Sequence, residues 1–521
     1  MKKISNLLMM ALLAIGMGLT SCDEQLDNAV NPGVGEVTNI EFDLSKIDAK
    51  YLDSEKTKLQ LTVGDEVTLS FTILPEEAAG TEVELTAGDA TILSIDGLKV
   101  TVLKAGETKV TAKAGDKTAE IPVIVAKAPV DLSMVDNAGN ARDKQWTANC
   151  YMVHTAGDYK LPLVYGNAIK DGAANTDAYT GIEDANTTKT FPNHAGNAIN
   201  APWITKATTG TGADKGMGIA VASAELLWQD AKGLITKVGI SGDYLTLTVG
   251  KDATEQQGNA LVAAKDADGN IVWSWHIWVT TETFAADDLT TVKTGSRDYK
   301  VTPVNLGWVA TGGDGKQGYN TYYQWGRKDA FIPGTWNSTT NHTVYDIDGN
   351  TVTTPLNYTE STAAIADDIK NPMTFYKYNT LFYNKWDAQQ TGTDNITTAT
   401  KKTVYDPCPA GFCVPTGNLY WFMGDGNNRA MGTWDTTNKG ATWDNNVVAN
   451  SISGNALFFP ASGHRKVSDG TFSDVGTGCY CWSASPCSGA ERRSLDLHHD
   501  VWTWADNDRA NGFPVRAVAE E

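Results

Sequence analysis

Two groups of side chains in this 521-residue chain have types and spacings that point to chemistry. The first is a set of thiols: Cys408 and Cys413, then Cys479, Cys481 and Cys487. Residues two apart on a strand face the same side, so Cys479 and Cys481 would converge. With His498-His499 downstream they offer soft ligands, but the spacing is not that of a zinc ribbon, and no metal is expected. The second group is Asp506-Asn507-Asp508 beside Trp502 and Trp504, the candidate ligand-binding cluster. Calcium prefers carboxylate and amide oxygens of this kind, so it is the one cofactor the cluster leaves open; the plainer reading is a solvated turn before the final strand. No catalytic residue is assigned. The chain has no Gly-x-Ser-x-Gly elbow, no phosphate loop and no His-Glu-x-x-His. Carboxylate pairs are too common in so acidic a chain to mark a glycosidase. The reading is a binding or structural protein, not an enzyme.

Two further segments invite a functional reading and have a plainer one. Asp266-Ala267-Asp268-Gly269-Asn270 begins like a calcium loop, but the distal bidentate acid is missing and Trp273, Trp275 and Trp278 follow. Asp-Gly between two strand-like runs is a hairpin signal. Asp346-Ile347-Asp348-Gly349-Asn350 repeats the pattern. In Val272–Val279, strict alternation puts Trp273, Trp275, Ile277 and Val279 on one face and Ser274, His276 and Trp278 on the other. Three indoles on one strand would make a sugar-stacking platform; the reading preferred is a buried strand, its indole N–H groups bonded inside the fold and His276 a satisfied interior residue.

The N-terminus carries an address. Lys2 and Lys3 precede a short apolar stretch, Leu7 to Met17, and Leu19-Thr20-Ser21 lead into Cys22. This arrangement resembles a bacterial lipoprotein signal peptide with its lipobox. The resemblance implies that 1–21 are removed and that Cys22 carries the lipid, each buried methylene adding roughly 0.8 kcal/mol of anchoring. Asp23, Glu24 and Asp27 follow, an acidic stretch that resembles the surface-export signal of Bacteroides-type lipoproteins. The expected location is the outer membrane, facing the cell exterior. Residues 22–36 read as a flexible acidic tether.

Composition bounds what the rest does. The net charge is −20 and no basic run appears in the mature chain, which argues against nucleic acid and against electrostatic binding to an anionic membrane. Thr, Asn, Asp and Gly crowd between short β-branched and aromatic runs, the composition of β-rich domains. All 16 tryptophans lie at or after Trp146. Residues 37–126 alternate small aliphatic and polar residues, as in Leu59-Gln60-Leu61-Thr62-Val63 and Leu98-Lys99-Val100-Thr101-Val102. Turn signals at Gly64-Asp65, Gly97 and Gly115-Asp116 recur at the interval of a sandwich. The order of these runs resembles a bacterial immunoglobulin-like group 2 domain, which implies a stalk or spacer. Residues 133–285 read as a β-rich middle domain.

From about residue 290 the landmarks are "VNLGW", "YYQWGRKDAF", "YDPCPAGFCVPTGNLYWF", "FFPASGHR", "CYCWSASP" and "NGFPVRAV". In this order they resemble the Fibrobacter succinogenes major paralogous domain, and the terminal motifs are similar to the C-type-lectin-like fold. The resemblance implies an α+β lectin-like domain over 290–521 on an exported protein. Thr416 is placed to cap a short helix holding Leu419, Trp421 and Phe422, and Trp482 and Phe513 read as core anchors. The family's usual terminal cysteine is replaced by Ala517, so Cys408 loses its expected partner. Six cysteines remain if Cys22 is lipidated, with Cys150 far from the others. Disulfides among Cys408, Cys413, Cys479, Cys481 and Cys487 are expected, without a connectivity.

The fold expected is therefore multidomain and β-rich: an N-terminal Ig-like sandwich, a β-rich middle domain and a C-terminal α+β lectin-like domain. The function expected is adhesin-like recognition of a glycan or extracellular macromolecule by an outer-membrane-anchored surface protein. An accessory or tip subunit of a fimbria and a carbohydrate-active enzyme are the alternatives.

Overall fold

The computed structural model describes residues 35–180, 191–379, 385–390, 396–424, 432–444, 452–487, 491–499 and 502–521. Cys22, the preceding signal and tether residues 22–34 lie outside them. The chain forms two compact units, Met1–Ala128 and Pro129–Glu521.

The described part of the first unit is a β-sandwich. One sheet runs in the order Leu59–Thr62, Lys117–Ala126, Gly106–Ala114, Glu84–Ala87; a second joins Glu66–Thr68, Lys99–Val102 and Leu93–Asp96. Leu59, Leu61, Val100, Val102, Ile121, Val123 and Val125 pack in one core while the residues between them face outward, the period-two pattern that a sheet with one wet face requires. The hairpin between Gly106–Ala114 and Lys117–Ala126 turns at Gly115, whose φ of 57° is costly for a residue with a Cβ.

The second unit begins with two four-stranded sheets. One is ordered Val130–Asp131, Gly157–Pro162, Tyr244–Val249, Ile235–Ser241; the other Cys150–Val153, Ile271–Val279, Gly258–Lys265, Ser223–Gln229. The strand Ile271–Val279 is buried on both faces from Val272 onward. Its indoles are core: Trp273 Nε1 donates to Asn149 Oδ1 at 3.0 Å and Trp278 Nε1 to the Trp308 carbonyl at 3.0 Å. Trp275 Nε1, expected to be bonded too, is buried without a partner. Both Asp-Gly segments are turns. Asp266 Oδ1 accepts from the amides of Asp268 and Asn270, and Asp346 Oδ1 from those of Asp348 and Asn350. Asp136 and Asn193 build the same turn with Asn140 and Asn197, two copies that the sequence reading missed.

Beyond residue 290 the chain builds a five-stranded sheet ordered Phe412–Cys413, Val518–Ala519, Asp298–Val301, Thr290–Lys293, Ile452–Ser453. Two three-stranded sheets join it: Thr433–Asp435, Gly440–Trp443, Leu457–Pro460, and Gly478–Pro486, Glu491–His498, Trp502–Asp508. Among the described residues, α-helix is confined to Ile365–Lys370 and Asn418–Gly424, so strands and loops, rather than an α+β pairing, carry this region. Trp482 and Phe513 stack at 4.2 Å between ring centroids, both fully buried.

The expected boundary near residues 285–290 does not divide the packing. One core runs from Leu132 through Trp273 and Trp278 to Trp325, Trp482 and Ala517. Asn149 Nδ2 donates to the carbonyls of Val404 and Asp406, and Asn259 Nδ2 to that of Gly307. A sheet buried on both faces takes cover from elsewhere in the chain, and here residues beyond 300 supply it.

The first unit contains no tryptophan, so indole fluorescence reports the second alone. A shared core predicts one denaturant transition by that signal. Trp278→Ala is expected to lower its stability by about 3–5 kcal/mol and to keep the transition single; two separate transitions in the wild type would contradict the shared core.

Candidate functional site

The predicted cluster at 502–508 is consumed by the fold. Trp502 is buried and packs edge-on against Trp443 at 4.8 Å. Asp506 pairs with Arg493, Asn507 Nδ2 donates to Ser494 Oγ at 2.8 Å, and Asp508 Oδ1 accepts from the amide of Ala510 at 2.9 Å. Trp504 is paired with Leu495 within the sheet. These polar groups are spent on separate partners, so the geometry does not gather them on one ligand.

The expected disulfides are absent as well. Cys150, Cys408, Cys413, Cys479 and Cys481 are free, buried thiols, and Cys487 is buried too. Cys408 lies in the large core, whereas Cys413, Cys479 and Cys481 lie in a second one with Trp443 and Leu495. Cys479 Sγ donates to the Phe459 carbonyl at 3.1 Å. Burial pushes the Cys481 thiol up to about 12 and the Cys408, Cys413 and Cys479 thiols well above their ordinary value. The thiolate that disulfide exchange needs is thereby suppressed.

The structure instead gathers aromatic and polar side chains in two neighbouring depressions that share Pro460. The larger, of about 210 Å³, is walled by Asn305, Trp308, Asp314, Lys316, Phe458 and Arg516. Trp308 is 2 % exposed, and its buried indole N–H has no acceptor. Burying an unpaired donor costs about 1–3 kcal/mol, and the Trp308 N–H shares this state with those of Trp275 and Trp443. The wall is held from behind. Arg516 Nε donates to Asn305 Oδ1 at 2.8 Å, its other nitrogens bond the carbonyls of Thr302, Pro303 and Phe458, and burial pushes the guanidinium down to about 10. Gly318 permits the fit: a Cβ there would lie 2.8 Å from Trp308 Cζ2 and 2.2 Å from the Val309 carbonyl oxygen.

The smaller depression is a narrow hollow with room for about one water-sized group, lined by Tyr319, Tyr322, Trp336, Asn337, Ser338 and Lys439 among others. Trp336 is half-buried, leaving part of its indole available for stacking. Tyr322 Oη donates to the Ser462 carbonyl at 2.7 Å and fixes the floor. Asn337 and Lys439 both have φ of 52°, a conformation that L side chains rarely adopt. Such strain collects where a site over-determines the backbone. None of these lining residues belongs to the predicted cluster. The "VNLGW" and "FFPASGHR" landmarks do supply part of the lining, and a tryptophan among the turn residues Pro333, Gly334, Asn337 and Ser338 was there to be read.

Beside this depression, His464 Nδ1 stands 3.4 Å from Asp474 Oδ2, which accepts from Tyr480 Oη at 2.9 Å; Tyr480 Oη lies 3.0 Å from His498 Nε2. Burial pushes His464 down to about 4, against the pull of Asp474. No group of three or more His, Cys, Asp or Glu among the described residues is arranged to hold a metal. Elsewhere Lys328, Asp329 and Ser274 form an enclosed trio, the ammonium 2.5 Å from Asp329 Oδ1 and 2.6 Å from Ser274 Oγ, all three buried.

No family model and no curated protein matches the chain. Among solved structures, domains 4 and 5 of the S-layer protein SbsC are 16% identical over 47% of this chain and 100% of that one, with a TM-score of 0.15. Domains 5-6 of the same protein are 13% identical over 45% and 97%, with a TM-score of 0.13. An endo-fucoidan hydrolase of glycoside hydrolase family 107 is 13% identical over 43% and 32%, with a TM-score of 0.14. Scores this low carry no functional argument.

Two outcomes follow from this chemistry. The six described thiols are expected to be silent to a thiol reagent in the folded protein and to react on unfolding in guanidinium, with reductant making no difference. For His464 the folded state binds fewer protons than the unfolded state between about pH 6.5 and 4, so its contribution to stability is present above pH 6.5 and lost as the pH falls towards 4. His464→Gln is expected to flatten the fall in denaturation midpoint across that window.

Proposed function

We propose that this chain is a lipid-anchored cell-surface binding protein that holds a glycan in the two adjoining depressions on its C-terminal region. The observation that carries the reading is Trp308: a buried indole N–H without an acceptor, in the wall of a space large enough for a sugar unit, next to a second pocket where Trp336 offers a partly open ring. Sugars combine apolar ring faces with hydroxyl oxygens, and a site for them pairs aromatic faces with placed donors. The lipobox-like approach to Cys22 and the acidic residues after it support the surface address. Binding without turnover is favoured because Asp314 is the one carboxylate among the described lining residues, whereas glycoside hydrolysis ordinarily uses a pair.

The test is a glycan array with the purified full chain, followed by calorimetry on the hits. Trp336→Ala is expected to weaken binding at least tenfold with an unchanged circular dichroism spectrum. Trp308→Phe keeps a ring and removes the donor, and should cost three- to tenfold. An array blank for every glycan, with host matrix proteins captured instead, would replace the ligand class; hydrolysis of a bound oligosaccharide would replace binding by catalysis.

A further inference from the structure

We propose that the pocket beside Trp336 receives the anionic group of an acidic glycan, a carboxylate or a sulfate ester, against the Lys439 ammonium. The inference deepens the glycan reading above and rests on it. Acids outnumber bases 62 to 42 in this chain, so an arbitrary surface hollow would more often carry carboxylates. Here Lys439 is the one charged residue among the described lining; the Tyr322 and Ser462 hydroxyls donate to protein acceptors, and Thr335, Asn337 and Ser338 add neutral hydroxyls and an amide.

Lys439 is also kept free of local acids. Among the described residues it forms no ion pair. Asp435, four residues earlier, is committed to the turn: its Oδ1 accepts from the amides of Thr437 and Asn438, its Oδ2 accepts from Asn438 Nδ2 at 2.9 Å, and its nearest ammonium is that of Lys316 at 3.8 Å. Gln317 Nε2 braces the same turn by donating to Asn438 Oδ1. The backbone of Lys439 is fixed on the pocket floor, where its carbonyl accepts from the amide of Ala461 at 2.8 Å. A cation held in left-handed backbone, without a counter-ion among the described residues, beside hydroxyls and a half-open indole has the composition of a subsite for a charged sugar. A charge-assisted hydrogen bond to a carboxylate or sulfate would pair the ammonium while the sugar ring rests on Trp336.

The experiment titrates the full chain with size-matched neutral, uronic and sulfated oligosaccharides at low and at threefold-higher salt. The expected result is that an anionic series binds at least tenfold tighter than the neutral one, and that salt weakens it. Lys439→Asn, chosen because asparagine tolerates this backbone conformation, should abolish most of that preference, and Lys439→Arg should keep it within about threefold. A preference for the uronic or for the sulfated series alone supports the inference and names the group. Equal binding of neutral and anionic ligands, or an unchanged preference in Lys439→Asn, overturns it and leaves glycan binding standing. Binding of no oligosaccharide overturns both.

Discussion

A strand buried on both faces must find partners for its polar groups within the protein, and Ile271–Val279 does so for the Trp273 and Trp278 indoles and for His276, though not for Trp275. Its neighbours in the sheet take care of the backbone; its indoles and its histidine need more. The answer comes from loops far along the chain. Trp278 reaches the Trp308 carbonyl, and His276 Nε2 meets Asn259 Oδ1 at 2.9 Å while Asn259 Nδ2 reaches the Gly307 carbonyl. Burial pushes His276 down to about 3, so the ring is neutral and its contacts are ordinary hydrogen bonds. Gly307, at φ 70° and with Thr321 where a Cβ would sit, lets the loop come that close.

The same bonds build the cleft. The segment Asn305–Trp308 is gripped on one side by Asn259 and Trp278 and on the other by Arg516, so the wall that presents Trp308 is a rigid product of core satisfaction. Buried arginine performs this service repeatedly. Arg327 Nη2 donates to the carbonyls of Asp368, Asn371 and Pro372, and Arg465 joins Gly470, Ile332 and Asn341. Each guanidinium gathers acceptors from two or more segments, which ties loops and short elements together in a region with so many short strands. A rigid frame with adaptable rim side chains is a suitable support for binding, because little ordering is left to be done when the ligand arrives.

Electrostatics separate the cleft from its surroundings. The molecule is strongly acidic, and many of its carboxylates are tied into turns, where amide donors hold them below the usual range, as at Asp136, Asp266, Asp346 and Asp435. These charges stabilise hairpins and stay in water. Thiols follow the opposite course: they are packed as small apolar groups, Cys150 and Cys408 in one core and Cys413, Cys479 and Cys481 in the other.

Much of the architecture was legible in the primary sequence because it depends on local periodicity. The alternation in 59–63 and 98–102 marked the sandwich strands, Asp-Gly marked the hairpins, and the change from aliphatic to tryptophan-rich composition marked the division between the two units. Trp482 and Phe513 read as core anchors within the landmarks that carry the family resemblance, and both are buried. What adjacency along the chain could not express was convergence. Trp502–Asp508 looks like a site only because its residues are consecutive; in three dimensions they spend themselves on Arg493, Ser494 and Ala510. The cleft unites residues near 305, 336, 439 and 458, which share no motif and meet only after long-range hydrogen bonds have fixed their loops. The sequence by itself determined which segments become strands and turns, since those depend on neighbours two to four residues away. Tertiary structure alone decided which polar groups are left unpaired and which side chains wall a cavity, because that depends on every partner the finished fold supplies.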